Sequence, residues 1–307
     1  MNSLLKFFSF SLAVVLLAAC SATKPLTLDV GLENGANLDY TITTSSNLGM
    51  SMLGQKLDLI GQAVQDFDFL VKAVNPTGIT DIDFKIENMA VDVSIPLAGD
   101  FSYDSQKGDN DSSSPFSSLG GLIGKTMSAS LNKNGKVTRI EGADEAVKQV
   151  LGKIKGAEQA ASLLEGFIGE DAFKSNFESI TGFSQGGKVL NIGDNWSKSI
   201  QTKAGVTLNS DYTYTVKERN GGKVTIDVTG ESKSDPNAAP IEAQGVKVSY
   251  NLAGPISGVI VVDEKTGWAI TSDIQQDLSG KVSMSGTPVG DVNLDAKMTI
   301  GTSAKRN

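Results

Sequence analysis

Histidine does not occur anywhere in this sequence. Its absence excludes Ser-His-Asp and Cys-His catalysis, zinc proteases of the His-Glu-x-x-His type, and haem held by histidine. Cysteine occurs once, at Cys20, so neither an internal disulfide nor a multi-thiolate metal site can form. Basic residues are outnumbered, 27 Lys and Arg against 35 Asp and Glu, and they form no long patch. Contact with phosphates needs a cationic face, so nucleic acid is not an expected partner. Beyond the first twenty residues there is no long apolar run, and spanning a bilayer takes about 20 apolar residues. Carboxylates are common enough for a two-carboxylate glycosidase, but spacing singles out no pair. The chain reads as a non-enzyme with no cofactor and no metal.

What is present begins at the N-terminus. Lys6 precedes an apolar run from Phe7 to Ala18, interrupted only by Ser9 and Ser11. A basic residue followed by a short apolar stretch is the build of a secretory signal. The run ends in Leu17-Ala18-Ala19-Cys20, followed by a polar stretch with Pro25. This resembles the lipobox of bacterial lipoproteins. The resemblance implies cleavage before Cys20, diacylglyceryl attachment to its thiol and acylation, typically with palmitate, of the new amino group. A thiol is a natural acceptor for alkylation, and two or more acyl chains make anchoring stable where one is marginal. The expected partner is thus a membrane, reached through a lipid at Cys20.

Along the rest of the chain apolar residues mostly alternate. Leu38-Tyr40-Ile42, Phe67-Phe69-Val71, Ile82-Phe84-Ile86 and Val91-Val93-Ile95 each share a face, as half-buried antiparallel strands do. Asn75-Pro76-Thr77-Gly78 and Ala98-Gly99-Asp100 supply turns. Residues Ser105 to Ser118 form a polar loop. Its Asp109-Asn110-Asp111 holds oxygen ligands but matches no EF-hand, so it is read as solvated chain. Met127, Ala129 and Leu131 lead to Asn134-Gly135, a two-residue hairpin turn, and a return strand from Val137 to Ile140.

The period then changes. Val147, Val150, Leu151, Ile154, Ala161, Leu164 and Ile168 recur three or four apart, which predicts one amphipathic helix or two broken near Gly156. Phe173, Phe177 and Ile180 line a second helix that stops near Gly182. Alternation returns from Val206 to Ile300, with Tyr212 and Tyr214 on one face and Ser232 to Pro240 as a loop.

The segment LNKNGKVTRIEG (Leu131–Gly142), the lipobox and the element Gly193-Asp194-Asn195-Trp196 together resemble an uncharacterised family of bacterial lipoproteins common in the Bacteroidetes group. Many members carry a proline shortly before that element, where this chain has Gly186-Gly187. No catalytic residues carry over from the family. Read physically, Gly193-Asp194 is a tight turn and Trp196 an anchor packed behind it.

The expected fold is α+β and mostly antiparallel: one curved sheet, or two related ones from a duplicated half, covered by a central helical block. The expected organisation is a signal peptide at 1–19, a tether and short strand at 20–37, and a β region at 38–140. A helical block at 141–182 and a second β region at 183–307 follow. Function is expected to be that of a membrane-anchored envelope lipoprotein. It would bind an apolar or lipid ligand between sheet and helices, lined by Phe67, Phe69, Phe84, Leu164, Phe167, Phe173, Tyr212, Tyr214 and Trp268. The competing expectation is a structural protein that docks an envelope partner. Ser21 after the cysteine resembles the residue seen in lipoproteins sent to an outer membrane, and the acidic export stretch of Bacteroidetes lipoproteins is missing beyond it; the resemblance implies an outer membrane position facing the periplasm.

Overall fold

The computed structural model describes residues 25–52, 55–95, 99–107, 117–152, 168–204, 206–243, 246–286 and 292–307. Strand accounts for 64% and helix for 12%. In chain order the strands are β1 (Leu26–Thr27), β2 (Asn37–Met52), β3 (Gln55–Val74), β4 (Thr80–Ile95), β5 (Gly99–Asp104), β6 (Met127–Leu131) and β7 (Val137–Glu141). After the helices come β8 (Val189–Leu190), β9 (Asn195–Ala204), β10 (Val206–Asn220), β11 (Lys223–Ser234), β12 (Ile241–Ala243), β13 (Val246–Asp263), β14 (Ala269–Ser285) and β15 (Val292–Arg306). Two α-helices, α1 (Ala143–Leu151) and α2 (Glu170–Thr181), and a 3-10 helix (Ser117–Leu122) complete the described elements.

All strands but β1 and β8 join one 13-stranded sheet, ordered β7-β6-β4-β3-β2-β15-β14-β13-β11-β10-β9, with β5 on β4 and β12 on β13. Every pairing is antiparallel, as expected of a chain whose successive strands are joined by short turns. The expected duplicated halves are not separate sheets. The C-terminal β15 pairs with β2 on one side and β14 on the other, so the last strand joins the two arrays into one.

The expected central helical block is overturned as well. Among the described residues α1 and α2 are short, nine and twelve residues, and α2 packs on β7, β9, β14 and β15 without covering the whole sheet. The physical reason is that the sheet covers itself. Val206 and Leu208 of β10 pack in one cluster with Leu48 of β2, although four strands separate β10 from β2 in the sheet. A sheet curled that far buries its own apolar face and needs a helix only where the curl leaves a gap. Tight curling brings backbones close: a Cβ at Gly254 or Gly258 of β13 would overlap the Asp277 or Asp273 carbonyl oxygen on β14.

The alternation read from sequence matches the strands but undercounts their length. It fades between 44 and 66, where the inward positions are Thr44, Ser46, Gly61, Ala63 and Gln65. Likewise β11 continues through Ser232 to Ser234, residues expected in a loop, because Ser232 faces inward and is fully buried. Asp109-Asn110-Asp111 and Cys20 lie outside the described residues. No described helix is long and apolar enough to cross a membrane.

One end of the strands is closed by a strap. Leu26, Leu28, Val30 and Leu32 are buried at alternate positions. β1 pairs with β8, the Leu28 carbonyl accepts from the Gln185 amide at 3.2 Å, and Gly31 N–H donates to the Thr266 carbonyl at 2.9 Å. Gly267 makes this approach possible: its φ is 67°, and a Cβ would overlap the Asp29 carbonyl oxygen. Gly267→Ala is therefore expected to cost at least about 2 kcal/mol. Gly124→Ala, at φ 71° with open space around it, should lose only about 1 kcal/mol of backbone strain. Urea unfolding of the two variants tests this, and equal losses would contradict the contact.

Candidate functional site

The inward face of the sheet divides into three zones along the strands. The zone nearest the strap and helices, here proximal, is aromatic. Phe67 and Phe69 of β3, Phe84 of β4 and Trp268 meet Phe173 of α2, and all are at most 2% exposed. Their rings touch in edge-on and stacked pairs: Phe84–Phe173 at 5.6 Å, Phe69–Trp268 at 5.9 Å and Phe67–Phe69 at 5.6 Å between centroids. Five of the nine residues expected to line a site are thus gathered in one cluster. It is completed by Tyr40 and Phe177, which the sequence reading left out. The signal for Phe177 is its place four residues after Phe173, which puts both on one side of the helix.

Tyr212 and Tyr214 lie on the opposite wall, in a second stack with Trp196 of β9, at 6.0 and 5.6 Å. Burial pushes both phenols above their ordinary value. Trp196 follows the turn at Gly193 (φ 91°), where the Asp194 amide donates to the Asn191 carbonyl and the Asn191 amide to the Asp194 carboxylate. Leu164 and Phe167 lie outside the described residues.

Beyond the aromatics comes a polar belt. Asn176 Nδ2 of α2 donates to Gln65 Oε1 at 2.9 Å, Gln276 Nε2 to the Tyr212 hydroxyl at 3.1 Å, and Ser210 pairs with Ser232 at 2.8 Å. Gln65 Nε2, Gln276 Oε1 and Ser272 Oγ are buried and have no partner. Such atoms cost about 1–3 kcal/mol each in a closed interior.

The third zone, distal to the helices, is apolar again but different in kind. Leu48, Val206, Leu208, Leu252, Leu278, Val282, Ala296 and Met298 form a second core. Partly buried Met50, Tyr250, Met284 and Ile300 pack around it, and no described helix contributes to it. Unbranched methionines fill irregular gaps and accept more than one packing.

The sheet's two free edges meet at the proximal end. α2 packs against both β7 and β9. Thr181 Oγ1 donates to the Gly135 carbonyl at 2.7 Å, in the β6–β7 turn. Lys198 of β9 reaches over: its ammonium donates to the carbonyls of Asn134 (3.2 Å), Ser184 (2.7 Å) and Gly182, the last closing the helix C-terminus. Burial pulls Lys198 down to about 8, opposed by the nearby Glu178 carboxylate, which burial in turn pushes up.

The described residues contain no group of three or more acidic or cysteine side chains able to hold a metal. Fold and interior together define a wrapped, single-sheet antiparallel β protein with a helix-plugged proximal end and an apolar distal end. By sequence the chain belongs to a family of unknown function, DUF6263, whose model matches residues 77–269. No curated protein matches it in sequence. Among solved structures, one of lipovitellin concerned with its lipid–protein interactions is similar over 90% of this chain, with 13% identity and a TM-score of 0.50. The match covers 25% of the lipovitellin chain, so this chain spans a quarter of that protein's length and shares its fold there. An outer membrane channel from Pseudomonas putida F1 aligns over 90% of this chain and 97% of its own at 10% identity, with a TM-score of 0.25. An outer membrane lipoprotein-sorting domain from Vibrio parahaemolyticus aligns over 86% and 83% at 9% identity, with a TM-score of 0.13. Neither defines the fold.

The clasp carries a pH signature. Lys198 titrates near 8 when folded and near 10.5 when not, so the cost of burying its charge is absent above 10.5, grows as pH falls and is complete below 8. The unfolding free energy of wild type relative to Lys198→Met is expected to rise between pH 7.5 and 10. A difference flat across that range would show that Lys198 is not desolvated.

Proposed function

We propose that this chain is a lipid-anchored bacterial lipoprotein of the cell envelope that binds an acyl-bearing amphiphile in the distal half of its curled sheet, without catalysing a reaction. The observation that carries the reading is the division of the interior. A helix-plugged aromatic core fills the proximal end, and a second, methionine-edged core lies beyond a belt of polar side chains that includes buried atoms left unpaired. An acyl tail placed among Leu48, Leu278 and Met298 would leave its ester or amide beside Gln65 and Gln276. Their free Nε2 and Oε1 are a donor and an acceptor suited to it. The fold likeness to lipovitellin, a protein studied for its lipid interactions, is in keeping with this reading.

The lipobox supports anchoring at Cys20, and Ser21 an outer membrane position facing the periplasm. Five residues, Ser21 to Pro25, separate the lipid from the strap, a reach of at most about 18 Å. The strap enters at the proximal end, so the distal core, reached at Leu48 of β2, would stand away from the membrane by about 36 Å of strand.

The second reading, a structural protein docking an envelope partner, is favoured by the full packing of the proximal aromatics, with Phe67, Phe69, Phe84, Phe173 and Trp268 at most 2% exposed.

Three measurements decide. Fractionation of Cys20→Ser should move the protein from membrane to soluble fractions. Native mass spectrometry of wild type purified from its own host should show a lipid adduct. Met298→Glu should abolish both the adduct and displaceable binding of cis-parinaric acid, while circular dichroism stays unchanged. Wild type free of adduct and unable to bind the fatty acid would leave the structural reading.

A further inference from the structure

The outer face of the sheet carries a hollow of about 520 Å³ across β15, β2, β3, β4 and β5, on the side of the sheet opposite the apolar interior. Two ladder rows form its floor. In the first, Thr299, Asn47, Ile60, Ser94 and Asp100 stand opposite one another in register. In the second, Ser45, Gln62, Asp92 and Ser102 do the same. Short side chains on five adjacent strands leave room above the sheet, and the volume falls within the range of about 300–1,000 Å³ usual for small-ligand clefts.

On several other parts of the outer face, cross-strand neighbours satisfy each other: Thr41 with Asp66, Asn88 with Asp66, Ser130 with Asp81, Ser199 with Asp211, Gln201 with Asn209. In the hollow, Asn47, Gln62, Asp92, Ser94, Asp100 and Ser102 make no side-chain hydrogen bond or ion pair among the described residues. Amides, hydroxyls and carboxylates therefore converge on one space with their capacity unspent. At its centre is Ile60, 47% exposed, an apolar surface that nothing covers.

We propose that this hollow binds a neutral oligosaccharide. A sugar presents both things the floor offers to meet. Its hydroxyls donate to Asp92 and Asp100 and exchange hydrogen bonds with Asn47 and Gln62, and its C–H face lies on Ile60. Other ligand classes fit poorly. An acyl chain would strand at least six polar groups. A phosphate or nucleic acid would meet two carboxylates and no cation. A metal ion would find two carboxylates and no third ligand of that kind among the described residues.

Saturation-transfer NMR and calorimetry with chitotriose and maltotriose test the proposal on the full chain. At least one saccharide should bind wild type, and Asp92→Ala/Asp100→Ala should weaken it at least tenfold. Asp211→Ala, on the outer face of β10, should not, and all variants should keep the wild-type melting temperature within a few degrees because these positions are on the surface. Failure of both saccharides to bind, equal binding by the double variant, or calcium binding at these carboxylates without saccharide binding would overturn it.

Discussion

The architecture depends on how a very long sheet ends. An antiparallel sheet with a strand on each edge exposes two rows of unpaired backbone groups, a liability that grows with curvature because the edges approach without pairing. Here the edges are brought together over the C-terminus of α2. Three backbone carbonyls, from the β6–β7 turn, the helix end and the segment after it, converge on one lysine from the opposite edge. The arrangement substitutes a charged hydrogen-bond hub for a missing strand pair. It also explains why α2 is short: it has only to span the gap, and its aromatic side fills what the curl leaves open at that end.

The interior follows from the same constraint. Where the helix plugs the curl, space is available for rings, and the residues there are Phe, Tyr and Trp. Where no described helix enters, opposite walls touch directly and the residues are Leu, Val, Ala and Met. Between them the inward positions shrink to Ser, Thr, Gly and Ala, with glutamines projecting from β3 and β14. That gradation from rigid to adaptable packing, with polar atoms at the boundary, is unlike a uniformly filled core. It is the basis for placing a ligand at the distal end and not against the helix.

The proximal part of this fold was legible in the sequence because its signal is strong: Phe67-Phe69 and Ile82-Phe84-Ile86 alternate cleanly, and Phe173 and Phe177 keep helical spacing. Asn134-Gly135 and Gly193-Asp194 declared their turns. What could not be read was the middle of the long strands, since alternation requires apolar inward residues and Thr44, Ser46, Gly61 and Ser232 are small or polar. The closure of two arrays into one sheet was equally hidden. Pairing of β2 with β15 joins residues about 250 positions apart, and no local pattern records it. The helices were overweighted for the same reason: an apolar sheet face needs a cover unless the sheet curls on itself. The outer hollow had no sequence signal, because its floor comes from five strands that each contribute one or two ordinary polar residues.

The strap has a mechanical consequence. Tension applied at the N-terminus reaches the body first through the two-residue ladder between β1 and β8, then through Leu28, Val30 and Leu32, buried at alternate positions. Such a load path peels one residue at a time instead of shearing a long ladder at once. The strap can yield in steps while β2, held along 16 residues on one side and 12 on the other, stays in the sheet. Pulling force is thereby dissipated before it reaches the part of the molecule that encloses the interior.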